Sequence, residues 1–386
     1  MVVIRRSKEF KLLLSPNNGF LAAILLLFAQ TLLSQNTAVS YYENGKIKEK
    51  YEFVVIVSDT IKQGKYFFYL PDENVYQSGY YKNNMLDSVW NIFYNSGQKK
   101  SIFTYKNNTR NGRFQHFFET GQIYQSGTYL DNLLTDSLLT YNIDEGLVSV
   151  EMYYKNKIKG ICRYYYSNGQ LKEISERENE TVNGIYLSFH DNGALNYKGN
   201  KKNNCWDGIV EVFNKDGIKQ REAFYSNCKL NEILLTFAEN GIDTASVITF
   251  VDGFEHGLFK SYYSESKKVK EEVFYQNGKR EGQITFYYQS GNKYITGQYT
   301  NGIYSGIWKV FYPDGKIKQI GEYHNGMATG EWHFFYPNGA LQSTGYFMRD
   351  NKESIWTEFT PEGLVSDCIL YSSGIPLLRL SNFVNN

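Results

Sequence analysis

The sequence predicts an all-β chain: an elongated array of antiparallel β-hairpins, forming a single twisted meander sheet with about 24 residues per repeat. Three observations predict it. Aromatics are abundant, with 34 Tyr, 26 Phe and 5 Trp in 386 residues, and Gly reaches 33 while Pro is only 6. Glycine recurs in a fixed slot after an aromatic pair, in Asn-Gly, Ser-Gly or Asp-Gly contexts that favour hairpin turns. The large residues then fall at constant offsets from a second recurring slot, which is the signature of a repeat array rather than separate domains.

The first slot holds Gly45, Gly97, Gly121, Gly146, Gly169, Gly193, Gly217, Gly241, Gly291, Gly315, Gly339 and Gly363, with degenerate members at Glu73 and Ser266. The second slot holds Gly64, Ser88, Gly112, Ser137, Gly160, Gly184, Gly208, Glu232, Gly257, Gly282, Gly306, Gly330 and Ser354. Two residues beyond it stands an apolar column that includes Tyr66, Trp90, Phe114, Leu139, Cys162, Trp308, Trp332 and Trp356. Five beyond stands an aromatic column, and only the unit around Tyr141 slips its register. Seven before stands a tyrosine column, for example Tyr81, Tyr105, Tyr299 and Tyr323. Each unit therefore reads as two short strands. A lone hairpin cannot hide its apolar face, so neighbouring units stack their columns as ladders.

The ends read differently. Arg5, Arg6, Lys8 and Lys11 precede an apolar run from Phe20 to Leu33, followed by Ser34 and Gln35. That order predicts a signal peptide over 1–35 and export to a periplasmic, outer-envelope-associated or secreted location. The array then fills 36–386, about fourteen repeats, with an apolar cap near 372–386. Without residues 1–35 the chain keeps 37 of its 41 basic and 39 of its 40 acidic residues. Such a balance gives no basic surface for a nucleic acid.

Four cysteines are too few for a disulfide framework. Cys205 and Cys228 lie about one repeat apart. Two strands of separation place them roughly 9–10 Å apart, beyond the reach of about 7 Å that a disulfide has. No bond between them is expected.

The segment Tyr312–Tyr336, Tyr-Pro-Asp-Gly-Lys-Ile-Lys-Gln-Ile-Gly-Glu-Tyr-His-Asn-Gly-Met-Ala-Thr-Gly-Glu-Trp-His-Phe-Phe-Tyr, resembles the variant MORN repeat of bacterial proteins, as does Tyr336–Phe359. The resemblance runs from about Tyr41 to Tyr371 and extends to the YwqK-type, antitoxin-like group. It implies scaffolding, membrane-lipid contact or dimerisation, and an antitoxin or immunity role is the alternative it offers.

No nucleophile elbow, P-loop, dinucleotide fingerprint or zinc-protease motif occurs, and the five histidines form no ladder. The chain is read as no enzyme, with no cofactor and no metal site. The candidate ligand-contact or ladder aromatics are Trp308, Trp332, Trp356, Tyr312 and Tyr336. They either face solvent, where they can stack on sugars or apolar side chains, or pack on one another as the buried face. Lys309, Lys316 and Lys318 mark the opposite face. The expected partner is a protein. A cell-surface glycan, peripheral membrane contact and self-association remain open.

Overall fold

The computed structural model describes residues 3–5 and 35–379, which contain thirty-one strands and no helix. The pairings are antiparallel and join strands that follow one another in sequence, except that Phe254–Glu255 and Gly257–Tyr262 both pair with Thr244–Val251. Internal contacts group the chain into two units, Met1–Gly184 and Ile185–Asn386. Each is a meander of hairpins built to one plan, seen most simply in the second unit.

Strand Ile317–His324 runs into the turn Asn325-Gly326 and returns as Met327–Phe335. Both turn residues have positive φ, 52° and 84°, as a two-residue type I′ hairpin requires. The next connection, Tyr336–Ala340, closes with the Tyr336 N–H on the Ala340 carbonyl at 2.8 Å and the Gly339 N–H on the Tyr336 carbonyl at 2.9 Å. Strand Leu341–Met348 then begins the following repeat.

The second glycine slot is a bulge inside the returning strand. Ile320 pairs with His333 and Glu322 with Thr329, so Gly321 alone stands opposite Gly330, Glu331 and Trp332. Gly330 takes φ +68° there. The same left-handed residue recurs at 64, 88, 112, 136, 160, 184, 208, 232, 257, 282, 306, 330 and 354. One assignment from sequence is therefore corrected. The slot of the fourth unit is Asp136, with φ 63°, and Ser137 is its neighbour. Leu138, 7% exposed, takes the column position that Leu139 was given. With Asp136 in place the unit around Tyr141 does not slip, and the spacing departs from 24 only at 257 and 282. Asp hides the slot because it tolerates the left-handed region better than most side chains do.

The cysteine expectation is also overturned. Cys205 and Cys228 form a disulfide with a Cα–Cα distance of 4.8 Å. Strand Cys205–Phe213 pairs with Lys219–Ser226 through Gly208↔Tyr225. Continuing that register by three residues sets Cys205 opposite Cys228. The two are thus one strand spacing apart, because one opens a returning strand and the other closes the turn of the next outgoing strand. Counting whole repeats doubled the distance.

At the ends, Val3–Arg5 pairs with Asn36–Tyr41. Apart from Gln35, the rest of the expected signal segment lies outside the described residues. The expected cap falls partly outside them too. Its described part, Ile375–Arg379, continues the sheet as a strand with every residue exposed, and does not fold over the edge.

Candidate binding surface

One face of the sheet is closed by the apolar column. In the second unit Ile284, Trp308, Trp332 and Trp356 are 1%, 9%, 2% and 3% exposed. In the first unit Trp90, Phe114 and Cys162 are 2%, 3% and 0% exposed. A single sheet can bury an indole this fully because the ring lies flat across a glycine of the outgoing strand. A Cβ on Gly297, Gly321 or Gly345 would come within 2.2, 2.0 and 2.2 Å of Trp308, Trp332 and Trp356. Gly79 relates to Trp90 in the same way, at 2.2 Å. Glycine also stands eleven residues before Leu138 and Val210, at Gly127 and Gly199, whereas Ala223 precedes Leu234 and Val273 precedes Ile284 at the same spacing.

Neighbouring rings complete the enclosure. Tyr323 meets Trp332 edge-on at 5.2 Å, Phe347 meets Trp356 at 4.9 Å, and Phe334 sits 6.2 Å from Trp332. Each indole N–H is also satisfied internally. Trp308 donates to the Ser305 carbonyl at 3.1 Å, Trp332 to Thr329 at 3.1 Å and Trp356 to Tyr346 at 3.2 Å. Burying an aromatic of this size contributes about 4–6 kcal/mol before entropy is counted. These three indoles offer a ligand neither a free face nor a free donor.

Tyr312 and Tyr336 sit at the turn edge, half-buried. The Tyr312 hydroxyl donates to the Phe335 carbonyl at 2.7 Å and Tyr336 to Phe359 at 2.9 Å. Tyr94 on Phe117 and Tyr288 on Phe311 repeat this contact at 2.7 Å. Each phenol therefore ties its own repeat to the next one. At the opposite turn edge of the first unit, Asn84, Asn108 and Asn132 accept the backbone N–H of Lys62, Leu86 and Arg110 at 2.6–2.7 Å. The disulfide takes this edge position between Cys205 and Cys228.

The other face is open. Its register in the second unit aligns Ile209 with Phe224, Ile233 with Thr249 and Leu258 with Phe274. Ile209, Ile233 and Leu258 are 57%, 48% and 44% exposed. Acid–base pairs flank them: Lys198 and Lys219 both reach Glu211, at 2.8 and 2.7 Å, and Lys260 reaches Glu272 at 2.8 Å. These contacts hold the Glu211 and Glu272 carboxyls below their ordinary pKa. Grooves of about 500 and 530 Å³ run between the side chains here. Lys309 lines the larger one. Lys316 instead bonds the Pro337 carbonyl at 3.1 Å, and Lys318 lies 5.8 Å from the Tyr312 ring centre. Among the described residues no group of three metal-ligating side chains converges.

The family model described as the MORN repeat variant matches residues 35–54, 86–107, 110–131, 158–179, 304–325 and 328–348. Those six segments are similar to the variant MORN repeat and recur along the hairpin array. No curated protein matches it. The solved structure of TcdB2-TccC3 without its hypervariable C-terminal region aligns at 10% identity over 90% of this chain and 22% of that one, with a TM-score of 0.17. TcdB2-TccC3 itself aligns at 11% identity over 91% and 25%, with a TM-score of 0.14. The chain spans a quarter or less of those proteins, and likeness at these scores carries no weight here.

Within the hairpin repeats, the glycine beneath the buried indoles is the element that sequence reading missed. Its signal was present: Gly79, Gly297, Gly321 and Gly345 each lie eleven residues before a tryptophan. The cross-repeat tyrosine contacts left no such signal, because their acceptors are backbone carbonyls.

Proposed function

We propose that this chain is an exported, non-catalytic MORN-repeat scaffold whose open face binds a protein or envelope partner. The observation that carries this reading is the division of labour between the faces. The ladder face consumes its aromatics and satisfies their polar tips. The open face presents Ile209, Ile233 and Leu258 one repeat apart, bounded by paired charges. Exposed aliphatics in register suit recognition of an extended partner. Export is supported by the basic and apolar order of residues 5–33. The Cys205–Cys228 bond suits an oxidising compartment.

The test is partner capture by crosslinking in envelope extracts, comparing wild type with Ile209→Arg/Ile233→Arg and with Tyr336→Phe. The reading expects one reproducible partner, lost in the arginine variant and kept in the phenylalanine one. Recovery indifferent to the arginines would overturn it. An antitoxin role of the YwqK type rests on resemblance alone, and it predicts a toxic product of a neighbouring gene that binds this chain.

A further inference from the structure

On the open face of the second unit, Lys198, Lys219 and Lys260 are matched by carboxylates. Lys260 faces Glu272 directly across the strands and bonds it at 2.8 Å. Lys309 occupies the same position two repeats later. Its cross-strand neighbours are Thr296 on one side and Ile320 on the other, so the matching carboxylate is missing. Among the described residues neither Lys309 nor Lys293 makes an ion pair. Both line the groove of about 530 Å³, together with the hydroxyls of Thr285 and Thr296 and the amides of Gln283 and Gln298. No carboxylate is among its lining residues. The acids next in register are Glu322, opposite Ile307, and Glu272, opposite Thr285 and already bonded to Lys260. Tyr294 shares the strand side of Thr296 and Gln298 and is 41% exposed.

We propose that this groove binds an anionic polysaccharide segment. The two ammonium groups take a sulfate or carboxylate oxyanion, since an uncompensated cation pair in a concave site attracts negative charge. Hydroxyls and amides can donate to or accept from sugar hydroxyls. The exposed Tyr294 ring gives a flat apolar patch beside them for a sugar face. The absence of a wider basic surface, in an exported chain with 37 basic and 39 acidic residues, disfavours a nucleic acid as the source of the oxyanion. The proposal deepens the envelope-partner reading and rests on that reading only for the compartment.

Titration calorimetry of the full exported chain at low salt tests it, with dextran sulfate, neutral dextran and inorganic sulfate as probes. Dextran sulfate is expected to bind, neutral dextran to fail, and inorganic sulfate to bind at least tenfold more weakly than the polymer. Lys293→Ala/Lys309→Ala should weaken dextran sulfate at least tenfold, whereas Lys260→Ala should leave it within twofold. Circular dichroism monitors folding, which these surface changes should spare. Equal loss in Lys260→Ala, no loss in the double variant, or equally tight binding of anionic lipid vesicles would overturn the proposal. A protein partner captured through Ile209 and Ile233 stands or falls separately from these results.

Discussion

Trp332 lies flat on Gly321: a Cβ at that glycine would sit 2.0 Å from Cδ2 of the indole. Gly321 also faces Trp308 across the other strand pair, so one bare Cα underlies the contact between two repeats. The bulge at Gly330 is what brings Trp332 over it. Real Cβ atoms do not approach this closely, and the obstructing atoms belong to a rigid ring held on several sides.

Gly321→Ala should therefore destabilise the second unit by about 1–3 kcal/mol through overpacking, and Trp332→Ala by about 3–5 kcal/mol through an empty cavity. The double substitution Gly321→Val/Trp332→Ile copies the native Val273 and Ile284 pair, each 1% exposed. Urea unfolding should show it less destabilised than the sum of its single variants by roughly 0.5–3 kcal/mol. Strict additivity would separate the two positions.

The disulfide predicts two free thiols, not four, in the denatured unreduced chain, namely Cys162 and Cys368. A non-reducing digest should yield one linked peptide pair containing Cys205 and Cys228. Cys228→Ser should cost about 2–4 kcal/mol. Four titratable thiols in protein recovered from the export route would contradict the cross-strand register.

His116 packs at 5.4 and 5.2 Å from the Phe103 and Phe114 rings, its Nδ1 2.7 Å from the Ser101 hydroxyl. Burial, then Arg110 and Lys100, lower its pKa from the ordinary 6.5. The unfolded chain thus takes up this proton first as pH falls. The stability contributed by neutral His116 is complete above about 6.5 and declines from there to its lowered folded pKa. NMR titration of the ring should give a midpoint below 6.5. A midpoint at or above that value would remove His116 from any acid-linked loss of stability.

Tyr336→Phe removes one phenol that bonds the next repeat, at 2.9 Å from the Phe359 carbonyl. The expected loss is about 0.5–1.5 kcal/mol, with faster amide exchange concentrated in the repeats on either side. Exchange that rises evenly across the second unit would argue against a local tie.

The period, the hairpins and the columns were legible in the sequence because each follows from residue type at a fixed spacing. What escaped was relational. Asp136 hid a slot that needs only a tolerated positive φ, and Ser137 beside it was the more ordinary choice. The cysteine error was one of phase: Cys205 and Cys228 are 23 residues apart, but the count that matters is strands, and only the register supplies it. The alternative between a buried and a solvent-facing tryptophan ladder turned on Gly297, Gly321 and Gly345. The role of those glycines appears only once the rings are laid across them. The open face was harder still, because Lys309 differs from Lys260 only in what stands opposite it.

The account stands on the aromatic ladder being interior and the opposite face being the one left for partners. Iodide quenching of the intrinsic tryptophan fluorescence of the native chain tests this most directly. The account predicts blue-shifted emission dominated by Trp90, Trp308, Trp332 and Trp356, with weak quenching that rises steeply only on unfolding. Red-shifted native emission, quenched as readily as in the unfolded chain, would place the ladder in solvent and contradict it.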